Sequence, residues 1–222
     1  MLYETLKKDA QVCAYIKAGN DALAVLGYTE HSLTHVCKTA ETAALIMTEL
    51  GFSEKEVEQV KIAGLMHDIG NMVNRSYHAH SGAEIARTVL EKHGMPFEDI
   101  GIICIAIGNH DEGTGKPIST VSAALILADK SDVRRSRVQE CDMDKIMADI
   151  HDRVNYAVTR SEVIVSREGG RACVRLCLDI DTSFCAVMDY FEIFLTRMVI
   201  CRHAAAFLNA DFSLVINGMK MI

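Results

Sequence analysis

The sequence has few of the residues that interrupt a chain, because its 222 residues include only two prolines and no tryptophan. Long uninterrupted elements are therefore expected, and helices fit this composition better than the strands of a sandwich. Half of the residues are hydrophobic, which excludes a disordered chain. The length excludes a small domain held together mainly by disulfides.

Signals for zinc modules, secretion and membranes are also missing. The eight cysteines include no C-x-x-C pair, so free thiols in a reducing cytoplasm are predicted. The N-terminal segment MLYETLKKDAQVC lacks the apolar core of a signal peptide, and no apolar run reaches the roughly eighteen residues of a membrane span. The formal net charge of −7 argues against general binding of nucleic acids or anionic membranes.

Apolar side chains recur at helical spacing through the first 158 residues. This spacing predicts helices at about residues 4–26, 32–50, 53–68, 81–93, 95–110, 119–132 and 142–158. Ser53 and Glu56 form a capping-box pattern at the start of the third helix.

The pattern changes after residue 158. Residues 161–167 and 171–178 alternate branched and polar side chains around a Gly-Gly pair, which predicts a β-hairpin. A long helix at about 182–208 and a final strand from Phe212 follow. We therefore predict a mostly α fold: a helical bundle over residues 1–158 and a small α+β subdomain over 159–222. The subdomain is expected to pack or to form a homodimer, and the alternative is a pocket lid or ligand sensor.

Histidine is over-represented in one part of the chain, because seven of the nine histidines lie between His31 and His110. Several of them, with two aspartates, fall at the ends of predicted helices, and helix ends that converge in a bundle bring side chains into one pocket. Imidazole and carboxylate together suit a divalent metal. The candidate ligands are His35, His67, Asp68, His78 or His80, His110 and Asp129.

The order H…HDIG…H…NH…D over residues 28–135 resembles the HD superfamily of metal-dependent phosphohydrolases. In that family a histidine on an early helix, an adjacent His-Asp pair and a distal aspartate bind the metal. The resemblance assigns these roles to His35, to His67 with Asp68, and to Asp129.

Two further segments, HAHSGAEIA and NHDEGTGKP, resemble an extended branch that includes the HD-GYP cyclic-dinucleotide phosphodiesterases. The branch makes His78 an additional ligand, with His80 as its neighbour or substitute, and makes His110 a ligand. The chain departs from the branch at three positions where it usually has lysine, histidine and tyrosine: Asn71, Asn109 and Lys116. An extended ligand set is therefore implied, but specificity for cyclic di-GMP is not.

The resemblance implies one or two divalent ions, among which Fe, Mn, Ni, Co, Mg and Zn are not distinguished. Such an ion activates a water and polarises the phosphoryl oxygen. Asp68, which would bridge two ions, and Lys130 are the catalytic candidates. The candidate substrate-binding residues are Asn71, Arg75, His80 and Arg134, of which the two arginines suit phosphate oxygens. Asn71 could instead cap the helix that precedes it.

The predicted function is hydrolysis of a phosphomonoester or phosphodiester in a small molecule, for which a nucleotide is the favoured candidate. One alternative is a phosphodiesterase for cyclic nucleotides or dinucleotides in the extended branch. The other is a sensor that holds a metal and a nucleotide without hydrolysing it.

Overall fold

The structure is a computed structural model, and it describes residues 1–222 except for the side chain of Glu168. Ten α-helices and a four-stranded sheet make up the fold, which confirms the predicted mostly α class. The α-helices are α1 (Leu2–Leu6), α2 (Ala10–Val25), α3 (Leu33–Glu49), α4 (Glu54–Met66), α5 (His78–Lys92), α6 (Phe97–Gly108), α7 (Thr120–Ser131), α8 (Met143–Ala148), α9 (Ile150–Ala157) and α10 (Val187–Phe207). The strands are β1 (Val158–Glu168), β2 (Arg171–Ile180), β3 (Ala210–Ile216) and β4 (Met219–Lys220).

Two of the predicted helices are divided in the structure, each at an aspartate. Asp9 separates α1 from α2 and accepts hydrogen bonds from the backbone N–H groups at the start of α2. Asp149 caps α9 in the same way and separates it from α8. A short carboxylate side chain accepts hydrogen bonds from the free N–H groups of a helix start and so favours a new helix there. Because the apolar periodicity does not report such a cap, it predicted one helix where two exist.

The chain between α4 and α5 also differs from the prediction. Helix α4 ends at Met66, and a short 3₁₀ helix follows at Ile69–Met72. Helix α5 begins at His78, three residues earlier than predicted. His67 and Asp68 therefore lie in the junction between two helical segments, where neighbouring side chains are not held on different helix faces.

Gly70 makes the closest backbone contact in this junction. A Cβ at Gly70 would overlap the carbonyl oxygen of His78 and lie 2.5 Å from the amide nitrogen of Gly82, and both atoms belong to α5. We expect Gly70→Ala to lower the free energy of unfolding by about 1–3 kcal/mol, because the crowded atoms are backbone and α5 must move. Denaturant unfolding would measure the loss. The matched control is Gly101→Ala, since a Cβ at Gly101 meets nothing within 4 Å; equal stability of the two variants would contradict the prediction.

The sheet has the order β1-β2-β3-β4, in which β2 and β3 are parallel and the two outer pairs are antiparallel. The predicted final strand is two strands, β3 and β4, joined at Asn217 and Gly218, both of which have positive φ. Helix α10 connects β2 to β3 and packs against α7. One cluster of buried apolar side chains continues from the helices into the sheet and α10.

The change from helix to strand occurs at Val158, next to the predicted boundary between the helical bundle and the subdomain. The division into two domains stays a prediction. Among the described residues, no helix has both the length and the apolar character that crossing a membrane requires.

Candidate metal centre

The ends of several helices converge on one buried group of imidazoles and carboxylates. Helix α3 contributes His35, α7 contributes Asp129, and His67 and Asp68 follow directly after α4. His78 begins α5 and His110 follows α6. All six candidate ligands are buried, so the structure brings together residues that are up to 94 positions apart in the sequence (129 − 35).

Two histidines and two carboxylates form the first half of this group. The Nε2 atom of His35 lies 3.3 Å from Oδ1 of Asp129 and 3.5 Å from Oδ2 of Asp68. The Nε2 atom of His67 lies 3.2 Å from Oδ2 of Asp68 and 3.5 Å from Oδ1 of Asp129. Ligand atoms of His35, His67 and Asp129 all lie within 4.8 Å of one another, which is close enough for one ion to reach each of them.

The second half of the group shares Asp68. The Nε2 atom of His78 lies 3.5 Å from Oδ1 of Asp68 and 3.2 Å from Nε2 of His110. Ligand atoms of His67, Asp68 and His110 also lie within 4.8 Å of one another. Because Oδ2 of Asp68 faces His35 and His67 while Oδ1 faces His78, this carboxylate connects the two halves.

All four imidazoles present the same nitrogen to the centre. In each of them Nδ1 contacts an oxygen acceptor outside the group. For His35 the acceptor is Oδ2 of Asp132, at 2.8 Å. For the other three it is a backbone oxygen: that of Gly64 for His67 (2.8 Å), of Arg75 for His78 (3.0 Å) and of Ile107 for His110 (2.6 Å). An oxygen acceptor keeps the proton on Nδ1 and leaves the Nε2 lone pair available to a metal.

The residues present fit a divalent metal ion. The Nε2 atoms of His35 and His67 are buried and have no hydrogen-bond partner among the described residues, a condition that costs about 1–3 kcal/mol per atom. Imidazole nitrogen and carboxylate oxygen together form a donor set for divalent metals. A cation at this position would satisfy both nitrogen atoms and balance the charge of the two carboxylates.

The pKa of His67 reflects the same excess of negative charge, whereas the pKa of His110 reflects its burial and its cationic neighbours. Burial by itself lowers the pKa of His67, but the carboxylates of Asp68 and Asp129 have the larger effect and raise the pKa to about 10. Burial lowers the pKa of His110 to about 3, and the charges of His67 and Lys130 act in the same direction. His67 therefore lies where the protein favours a positive charge, whereas His110 stays neutral, the form in which imidazole binds metals.

Asn71 holds Asp68 in place. Its Nδ2 group donates to the backbone oxygen of Asp68 at 3.0 Å and to Oδ1 of the same residue at 2.9 Å. Asn71 is buried and is not among the residues that line the cavity described below. The structure thus places Asn71 against a candidate metal ligand, and its role in substrate binding stays a prediction.

Asp132 supports His35 from the side away from the centre. Its Oδ2 atom accepts the hydrogen bond from His35, and its Oδ1 atom lies 2.9 Å from both Lys38 Nζ and Arg134 Nε. Sequence reasoning missed this residue. The available signal was its position three residues after Asp129, at the end of an otherwise apolar helix.

Two predicted substrate-binding residues lie elsewhere. His80 is exposed because it follows His78 by two positions on α5, and helical geometry turns the two side chains about 200° apart. Arg134 pairs with Asp132 and, at 3.3 Å, with Glu30. Its guanidinium therefore faces acidic side chains, and Arg134 is not among the residues that line the cavity.

The centre opens into a recessed cavity of about 280 Å³. Predicted residues in its wall are Asp68, Arg75, His78, His110, Asp129 and Lys130. Residues that sequence reasoning did not place at a site include Tyr28, Arg137, Asp149, His151, Asn155, Phe194 and Arg197. No local signal distinguishes most of these, because they come from segments before α3 and after α7 that only the fold brings to the cavity.

Lys130, the second catalytic candidate, lies in the cavity wall between two carboxylates. Its Nζ atom is 2.7 Å from Oδ2 of Asp129 and 2.5 Å from Oε2 of Glu112. Arg75 is less constrained: its Nη1 atom lies 3.3 Å from Nε2 of His78 and 4.0 Å from Oδ1 of Asp68. Both cations therefore border the metal centre, and Lys130 contacts two carboxylates.

Comparison with known proteins identifies the segment that carries this centre. The family model "HD domain" matches residues 32–134. The chain is similar to Ribonuclease Y of Opitutus terrae (34% identity over 105 residues, 46% of this chain and 18% of that protein). It is also similar to Ribonuclease Y of Mycoplasma mycoides, with 27% identity over 157 residues, which cover 68% of this chain and 34% of that protein. An uncharacterized protein of Methanocaldococcus jannaschii, MJ1020, is 25% identical over 227 residues and 87% of each chain.

The chain spans about a fifth to a third of the two Ribonuclease Y relatives, and no solved structure matches it. HD domain proteins bind divalent metals, and the described His/Asp group could hold one. The matched segment contains all six candidate ligands and the five helices from α3 to α7. Residues 32–134 therefore match the HD domain, a family whose members are generally metal-dependent hydrolases.

Proposed function

We propose that this chain hydrolyses a phosphomonoester or phosphodiester bond in a small molecule, with a nucleotide as the favoured substrate. One observation carries the proposal: the unpartnered Nε2 atoms of His35 and His67 face two buried carboxylates at the base of a cavity that cations line. Hydrolysis of a phosphate ester needs an activated water and a positive environment for the phosphoryl oxygens. The donor set and the cations supply these two requirements.

We infer that two ions bind, one in each half of the centre, with Asp68 between them. Imidazole-rich ligands favour Mn, Fe, Co, Ni or Zn over Mg, which prefers oxygen ligands. When bound, such ions lower the pKa of water and polarise a phosphoryl oxygen.

The side chains of this protein orient the reacting groups. The hydrogen bonds on Nδ1 keep the four imidazoles directed to the centre, and Asn71 keeps Asp68 between the two halves. Arg75 borders His78 and Asp68 on the cavity side, where its guanidinium can donate to a phosphate oxygen. Lys130 lies between Asp129 and Glu112 at the edge of the centre.

The cavity supports a substrate of small-molecule size. Its volume of about 280 Å³ is near the lower end of the roughly 300–1,000 Å³ of ligand pockets. Asp149, His151 and Asn155 in the α8–α9 region, with Phe194 and Arg197 in α10, form part of its wall. The activity that the name Ribonuclease Y states belongs to relatives of which this chain matches only a part, so we rank a polymer substrate below a small one.

The test combines metal analysis with an activity screen. The protein purified without added chelator is expected to contain a transition metal, and to release phosphate or aryl alcohol from aryl phosphates and bis-aryl phosphates with Mn²⁺, Ni²⁺ or another divalent ion. A chelator should stop turnover and lower the melting temperature, because a ligand bound only to the folded state stabilises it, and added metal should restore both.

A panel of nucleoside monophosphates, cyclic nucleotides, cyclic dinucleotides and short RNA would then rank the substrates. Metal binding with a nucleotide-dependent rise in melting temperature, but no turnover of any ester, would establish the sensor instead. Absence of bound metal and of metal-dependent turnover together would contradict the proposal.

A further inference from the structure

Arg197 reaches the cavity from outside the HD domain. It lies on α10, 63 residues after the end of the matched segment (197 − 134), and α10 packs against α7, which carries Asp129. Arg197 and Phe194, one turn earlier on the same helix, both line the cavity. The packing of α10 on α7 thus brings a guanidinium to the pocket that contains the metal centre.

The guanidinium of Arg197 is held by two contacts that leave donors available. Its Nε atom donates to Oε1 of Glu112 at 3.0 Å, and its central carbon lies 4.6 Å from the ring centroid of Phe194. Among the described side chains, no hydrogen bond is made by its two Nη groups. An aromatic ring that supports the plane of a guanidinium and a carboxylate on Nε leave the outer N–H groups oriented for a ligand.

Lys130 and Arg137, two other cations of the cavity, have more of their charge or their donors engaged. Lys130 lies between Asp129 and Glu112. Arg137 is buried, and it donates from Nε to the backbone oxygen of Glu30 and from Nη1 to that of Asp132. Arg75, whose contacts involve only Nη1, and Arg197 both keep outer donors available, and of these two Arg197 lies outside residues 32–134.

The local charge also favours an anion next to Arg197. Glu112 is shared by Lys130 and Arg197, so one carboxylate faces two cations. The second carboxylate near Lys130 is Asp129, which belongs to the metal centre. When a metal ion occupies that centre, the set of Lys130, Glu112 and Arg197 carries a net charge of about +1, which attracts a phosphate dianion.

We propose that Arg197 binds the phosphoryl oxygens of the substrate through its Nη groups, so that the C-terminal helix completes a substrate site that the HD domain alone lacks. This inference rests on the proposed phosphohydrolase function. Two parallel N–H groups of a guanidinium match two oxygens of a phosphate, whereas an ammonium group does not. Arg197 would therefore help to select substrates that present two free phosphoryl oxygens, which both phosphomonoesters and phosphodiesters do.

The experiment compares Arg197→Ala and Arg197→Lys with the parent protein, using an aryl phosphate for kinetics and inorganic phosphate for calorimetry. We expect R197A to raise the KM for the aryl phosphate and the Kd for phosphate by about 10- to 100-fold, the range of a lost charge-assisted hydrogen bond. R197K should recover only part of this loss, and added guanidinium ion should partly restore R197A. Metal content and melting temperature should stay at the parent level.

Two further variants separate phosphate binding from a structural role. Arg202→Ala removes an exposed arginine from the same helix and should leave KM and phosphate affinity unchanged. Glu112→Gln removes the partner of Arg197 but not its donors. If Arg197 served only to pair with Glu112, E112Q would weaken phosphate binding as much as R197A does, and the proposal would be wrong.

The remaining outcomes distinguish this proposal from the general one. Unchanged KM and phosphate affinity in R197A would overturn the role of Arg197 while leaving metal-dependent hydrolysis intact. Loss of bound metal in R197A would also overturn it, since the defect would then lie in the centre. If the parent protein hydrolyses no ester, the proposed function fails, and the calorimetric comparison with inorganic phosphate still decides whether Arg197 binds an anion.

Discussion

Replacing Asp68 by asparagine is expected to reduce metal-dependent hydrolysis by on the order of 10³-fold or more, the scale at which removal of a central catalytic group acts. The two oxygens of Asp68 face different halves of the metal centre, so the loss of its charge affects ligands on both sides. Asparagine keeps the volume of the side chain, which limits any effect on packing. Turnover of an aryl phosphate and elemental analysis of the purified variant would measure the two consequences.

The matched control for this experiment is Asp99→Asn. Asp99 is also a buried aspartate, but it contacts Gln59 and Lys55 and lies outside the metal centre. It should keep parent-level turnover and metal content. Parent-level activity and metal content in the Asp68 variant would show that the group of histidines and aspartates is not the catalytic centre.

Replacing Asp132 by alanine is expected to have the largest effect on stability, with a loss of about 3 kcal/mol or more in the free energy of unfolding. The side chain is buried among His35, Lys38, Arg134 and Arg137, and removal of one partner leaves buried positive charge uncompensated. Because Asp132 also orients His35, metal affinity should fall by about 10- to 100-fold. Chemical denaturation and metal titration would measure these losses.

Asparagine at the same position offers a graded comparison. Its amide oxygen can still accept the hydrogen bond from Nδ1 of His35. Compared with Asp132→Ala, Asp132→Asn should therefore regain part of the lost metal affinity and a smaller part of the lost free energy of unfolding. Equal stability of the parent and the alanine variant would show that the surrounding cations are compensated without Asp132.

The contribution of Asp132 to stability has a defined pH dependence. Burial raises the pKa of this carboxyl group, but the hydrogen bond from His35 and the charges of Arg137 and Lys38 lower it more, to well below its ordinary value. A depressed pKa in the folded state means that the stabilisation is complete above the unfolded pKa of about 4 and is lost as the pH falls below it. The difference in unfolding free energy between the parent and Asp132→Asn should therefore be constant from pH 7 to about 5 and decrease between about pH 4 and 3. A difference that did not change in acid would contradict the assignment of the charge to Asp132.

Local sequence patterns predicted the helices well where the chain supplied both an apolar period and a cap. Helix α4 begins after Ser53, whose side chain forms the predicted capping box with Glu56. The same type of pattern failed at Asp9 and Asp149, because an aspartate inside a long apolar period was not recognised as a cap. Where an aspartate lies within a stretch of apolar periodicity, a new helix can begin after it, because its carboxylate accepts hydrogen bonds from the free N–H groups of the helix start.

The candidate ligands could be named from the sequence because their order matched a family pattern, but their roles could not be separated. The choice between His78 and His80 depended on where α5 begins, and a start at His78 directs that ring to His110 while His80 faces solvent. Lys130 and Arg134 were selected for their closeness to Asp129 in sequence. The structure places one against two carboxylates in the cavity wall and the other outside the cavity, since sequence neighbours on a helix end point in different directions.

The sequence by itself determined the helical class, the small C-terminal sheet, the HD resemblance and the set of side chains that could bind a metal. These follow from short-range properties: apolar periodicity, turn residues, and histidines and aspartates placed at helix ends. The tertiary structure alone decided that Asp132 supports His35, that Asn71 holds Asp68, and that Arg197 and Phe194 face the cavity. The contacts of Asp132, Arg197 and Phe194 join different elements, and their geometry depends on how α3, α7 and α10 pack, which no local pattern encodes. The contact of Asn71 with Asp68 spans only three residues and depends on the 3₁₀ turn that follows α4.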